Sequence, residues 1–104
     1  MALNPVHQTK AELAARFWSR AKRKYQESLG TGHGARVAKC DYAEMIWWIS
    51  NRVTSGDITN NDVRLSYNAA FGKSLTAGQW TTLVTSTFTP IRDKYQALID
   101  QGEV

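Results

Sequence analysis

Cysteine, proline and histidine are scarce in this chain of 104 residues, which has one Cys, two Pro and two His. The lone Cys40 excludes an intramolecular disulfide, and no Asn-x-Ser/Thr acceptor appears, so a reducing, cytoplasmic compartment is expected. Long apolar runs are also missing. The longest, Met45 to Ile49, is far short of a bilayer span, and the N-terminus lacks the apolar core of a signal peptide. No membrane partner is therefore expected. His7, His33, Cys40 and their carboxylate neighbours show no Cys-x-x-Cys or His-x-x-x-His spacing, which leaves a metal or other cofactor without a ligand set. Cys40 beside Lys39, with His33 and Asp41 near in sequence, has the residue types of a nucleophilic set. Nothing in the spacing brings these groups together, and the chain is not read as an enzyme.

Negative charge is scarce in the first 40 residues. Lys10, Arg16, Arg20, Lys22, Arg23, Lys24, Arg36 and Lys39 face only Glu12 and Glu27, eight cations against two carboxylates and a surplus of six. Residues 41 to 104 carry five cations and seven carboxylates, so the formal net charge of +4 is concentrated at one end. Regional basicity of this kind points to a polyanionic partner more directly than the overall charge does.

What is present is helical pattern and tryptophan. Four Trp in a chain of this size is a heavy aromatic load. Thr9 to Glu12 forms a capping box, in which a hydroxyl and a carboxylate satisfy orphan amides at a helix start. Leu13, Phe17, Ala21 and Tyr25 then recur every fourth residue, joined by Ala14 and Trp18 in an apolar stripe. Arg16, Arg20, Arg23 and Lys24 cluster on the far side of the same helix, within about 100° of one another. Three glycines between Gly30 and Gly34 are read as the end of that helix and a mobile linker. Arg36 and Lys39 follow within reach of an anion.

Asp41 to Glu44 reads as a second start, with Asp41 the cap of a helix over 42–54. In that helix Tyr42, Met45, Ile46, Ile49 and Val53 share one face, while Trp47 falls nearly opposite and Trp48 to one side. Thr59 and Thr76 open two more helices. Their buried sides are Val63, Tyr67, Ala70 and Phe71, and Trp80, Leu83, Val84 and Phe88. Thr89 and Pro90 read as a cap with proline in the first turn, or as a kink in one long helix. The β-branched run 81–89 is the one stretch that favours a strand.

The segment Asn51 to Asp62 resembles an EF-hand loop, with Gly56 at the sharp-turn position and Ile58 two residues later, and Gly72 to Thr76 has the cadence of an EF-hand linker. The ligand positions depart from that family: Asn51 is first, Val53 third, Ser55 fifth, and Asp62 stands where a bidentate Glu is normal. The resemblance implies a helix-loop-helix shape without calcium. Helices 60–71 and 77–88 also have helix-turn-helix spacing. The second of them carries no Arg or Lys with which to hold phosphates or read guanine.

These patterns define an all-α bundle of four or five short helices around the Trp-rich one, with residues 1–8 a flexible leader and 9–104 a single domain. Two functions fit. One is a small nucleic-acid-binding or regulatory protein that contacts the DNA or RNA backbone through Arg16, Arg20, Arg23, Lys24, Arg36 and Lys39. The other is a protein-binding adaptor or inhibitor, of the compact sort that mobile genetic elements and phages encode, acting on a partner or a second copy through Trp47 and Trp48.

Overall fold

The computed structural model describes residues 9–103, so the expected leader at 1–8 lies outside the described residues. Five α-helices follow one another: α1 (Lys10–Ser28), α2 (Gly32–Ser55), α3 (Asn60–Phe71), α4 (Ala77–Leu83) and α5 (Thr89–Asp100). A π-helical turn, Val84–Phe88, joins α4 to α5, so the last two form one continuous rod. No strand occurs among the described residues, and the fold is an all-α bundle. No helix among the described residues is long and apolar enough to cross a membrane.

Three of the five expected caps form, at Thr9, Thr59 and Thr76, although at Thr9 only the hydroxyl half of the capping box is made. Thr9 Oγ1 accepts the Glu12 N–H at 3.1 Å, and Thr59 Oγ1 accepts the Asp62 N–H at 3.1 Å. At Thr76 the exchange is reciprocal, the Gln79 N–H donating to its hydroxyl at 3.2 Å while its own N–H donates to Gln79 Oε1 at 2.9 Å. Gly56 ends α2 at φ 84°, a left-handed turn that L side chains rarely adopt.

Two expectations about α2 are overturned. The glycine segment is not a mobile linker: the connection is only Leu29 to Thr31, and Gly32, His33 and Gly34 are the first turn of α2. Asp41 caps nothing, because it lies in the middle of a 24-residue helix, where its carboxylate meets Lys24 Nζ at 3.3 Å. Tertiary packing accounts for both. Ala38 is buried and Tyr25 packs against Tyr42 at 5.4 Å, so the early part of α2 lies along the end of α1 in an antiparallel hairpin. That contact offsets the roughly 1 kcal/mol by which each glycine disfavours a helix.

The Thr-rich run makes no strand either. Thr81 and Thr82 return their hydroxyls to the Ala77 and Gly78 carbonyls, and Thr89 donates its N–H to Val84 five residues back. Pro90 has no N–H for the carbonyl four residues earlier and its ring crowds that group. A widened π turn just ahead of it lets the rod continue. Of the two expectations for Thr89 and Pro90, the cap does not form and one continuous helix does. The EF-hand likeness also stops at the helix-loop-helix shape, because Asn51, Val53 and Ser55 are all helical.

The core gathers Ala14, Phe17, Trp18 and Ala21 of α1, Ile46 and Ile49 of α2, Ile58, Val63, Trp80 and Phe88. Trp18 is its hub. It meets Phe17, Tyr67, Phe71 and Trp80 edge-on with centroids 4.9 to 6.4 Å apart, and its indole N–H donates to the buried Val63 carbonyl at 3.1 Å. Edge-to-face pairs of this kind add about 0.5–1.5 kcal/mol each beyond the area they bury. α2 packs against both α1 and α5, and α1 also packs against α3.

Candidate functional site

The cations of α1 divide in two. Three of its lysines are tied into the fold: Lys10 Nζ donates to the Gly56 carbonyl at 3.1 Å, and Lys22 Nζ donates to the Ala70 carbonyl at 2.7 Å. These are helix C-terminal ends, where carbonyl groups lack partners and a cation is favoured. Lys24 is held by Asp41 and, at 3.7 Å, by Glu27, so of the expected phosphate-binding set it is the member already neutralised. The arginines remain. Arg16, Arg20 and Arg23 on α1, and Arg36 and Lys39 near the start of α2, are exposed and form no ion pair among the described residues.

Arg16 and Arg20 do more than face solvent. They stand on one wall of a groove of about 610 Å³ between α1, α2 and α5, whose apolar lining includes Phe17, Met45, Trp47 and Trp48. Two of the six residues expected to hold phosphate, Arg16 and Arg20, thus share a groove with both residues expected to hold a protein partner, while Arg23, Lys24, Arg36 and Lys39 do not line it. The antiparallel α1–α2 hairpin brings them together, placing Trp48 against Phe17 in a near-parallel stack at 6.0 Å and 19°. Arg52 lies over the Trp48 ring at 5.2 Å and is itself tethered to Asp57 at 2.9 Å. With 37% of its surface exposed, Trp48 is held in place and still reachable.

Trp47 sits deeper. Its indole N–H donates to Gln96 Oε1 at 2.8 Å, and its ring packs on Tyr95 at 5.6 Å, so it joins α2 to α5 while one edge faces the groove. On that wall the Tyr95 hydroxyl donates to Glu44 Oε2 at 3.0 Å. Burial, and then the neighbouring Glu44 carboxylate, push the Tyr95 phenol above its ordinary pKa, which keeps it a donor. The groove is therefore lined by two arginines from α1, by aromatic rings and by one carboxylate from α2. Glu44 and Tyr95 were missed as site residues because only the packing of α5 on α2 brings them to the groove.

His33 and Cys40 are both exposed on α2, seven residues apart and so roughly 10 Å along its axis, too far for a nucleophile and its base to meet. Comparison with protein-family models, curated proteins and solved structures finds no match. The fold and the groove are therefore what define the class: an all-α bundle with an arginine-walled aromatic groove.

Proposed function

We propose that this is a small nucleic-acid-binding protein that holds a phosphate backbone with Arg16, Arg20 and Arg23, extended by Arg36 and Lys39. One observation carries the reading. These five cations are exposed and unpaired among the described residues, while the neighbouring lysines of α1 are occupied by carbonyls and carboxylates. Arginine suits the task because its planar guanidinium meets phosphate oxygens through two donors at once. Like charges at Arg16 and Arg20 cost an isolated helix about 0.2–0.5 kcal/mol, and a bound phosphate removes that repulsion.

The test is a titration with labelled DNA and RNA at about 50 and 200 mM salt, a range over which several phosphate contacts change affinity by orders of magnitude. Arg16→Glu with Arg20→Glu should abolish binding with helicity unchanged, and single Arg→Ala changes should each lower the salt slope by about 0.7–0.9. Binding indifferent to salt, or to the paired reversals, would refute the reading.

A second reading rests on Trp48, an exposed residue of the groove lining, since Trp and Arg dominate protein-interface hot spots. On that reading the protein is an adaptor or inhibitor, or a homodimer. Its mark is partner capture or self-association that persists at high salt and is lost in Trp48→Ala.

A further inference from the structure

We infer that the groove between α1, α2 and α5 takes an unpaired nucleobase, which makes the protein selective for single strands over duplex. The inference rests on the proposed phosphate contacts and adds what lies beside them. A helix that only followed a duplex backbone would need cations and nothing more. Here Arg16 and Arg20 instead wall a recess of about 610 Å³, within the roughly 300–1,000 Å³ range of small-molecule sites. A phosphate at those guanidinium groups therefore has its own sugar and base beside the aromatic lining of Phe17, Trp47 and Trp48. Bases in a duplex are stacked and paired, and only an unpaired base can be splayed into such a recess.

Charge selects the occupant. The guanidinium groups favour an anion, but Glu44, which lines the same groove, disfavours an acidic side chain entering it. A nucleotide satisfies both, with its charge confined to the phosphate and its ring neutral. One Glu44 oxygen takes the Tyr95 hydroxyl, and the carboxylate can still accept from the exocyclic amino group of cytosine or adenine. The aromatic lining is set in advance, because Trp47 is fixed by Gln96 and Trp48 by Phe17 and Arg52.

The experiment compares three probes of about 12 nucleotides, within the site size of small single-strand binders: oligo-dC, an abasic strand with the same phosphates, and a duplex. The wild-type protein should bind oligo-dC about tenfold more tightly than the abasic strand, the effect of one stacked base. Ile99 lines the groove from α5, so Ile99→Trp, which fills it, should bring that ratio to one and leave abasic affinity unchanged; Trp48→Ala should act in the same direction should the bulkier change disturb the fold. Arg16→Glu with Arg20→Glu should remove binding to all three probes. Equal wild-type affinity for oligo-dC and the abasic strand would overturn the groove assignment while leaving the phosphate contacts standing. No binding to any probe would overturn both, and self-association lost in Ile99→Trp would then give the groove to a second copy of this chain.

Discussion

The four tryptophans fall into two pairs that solve opposite problems. Trp18 and Trp80 are buried at 1% and 3% exposure, packed among aromatic rings, with indole N–H groups spent on Val63 and Asn60. Trp47 and Trp48 border the groove, and each is held by a polar or cationic neighbour as well as by a ring. The first pair supplies stability that the second draws on. A residue type that looks uniform in the sequence is thus divided between holding the bundle together and presenting a surface, and the division follows which helix packs behind each ring.

The sharpest break between the pairs is truncation. Trp18→Ala should cost about 3–5 kcal/mol, enough to unfold a domain of ordinary marginal stability, and denaturant melting of the purified variant checks it. Trp48→Ala should cost less, about 1–3 kcal/mol, the loss of its stack with Phe17 together with the part of its surface that is buried. If both variants melt alike, the division fails.

Alkali gives an intermediate effect on the α1–α2 seam that supports the groove. Burial above all, with Tyr67 and Tyr25 nearby, pushes the Tyr42 phenol well above its ordinary pKa. The folded state thus keeps a proton that the unfolded chain releases near pH 10, so stability is intact below about pH 10 and falls as pH rises through and beyond that point. Tyr42→Phe removes the ionisable group and should flatten that alkaline decline in melts between neutral pH and strong base.

The smallest effect sharpens the start of α2. Gly34 is helical, exposed and has open space where a Cβ would stand, so Gly34→Ala should stabilise by about 0.4–1 kcal/mol. Gly32, at φ 87°, should respond to the same change with destabilisation. Thermal melts of the two variants read out the opposite signs. Two changes of the same sign would move the helix start.

Much of the fold was legible because it is written in local chemistry. Thr9, Thr59 and Thr76 cap helices by hydrogen bonds within three residues, and the buried faces of α1 and α3 follow a spacing visible along the chain. The start of α2 was not legible, because its glycines argue for a linker locally, and the helix runs back to Gly34 and Gly32 beside contacts with α1 through Tyr42 and Asp41, Gly32 keeping a left-handed φ of 87°. The site shows the same limit. Arg16, Arg20 and Trp48 were each recognisable, but their meeting depends on the register of the α1–α2 hairpin, which no residue announces. Lys24 looked equivalent to its arginine neighbours until Asp41 came within 3.3 Å of it.

The most direct measurement of the central claim is an NMR titration that follows the four indole N–H resonances as oligo-dC is added at low salt. The resonances of Trp47 and Trp48 should move while those of Trp18 and Trp80, buried and bonded, stay in place. Binding that leaves Trp47 and Trp48 unmoved, or that shifts all four alike, would contradict it.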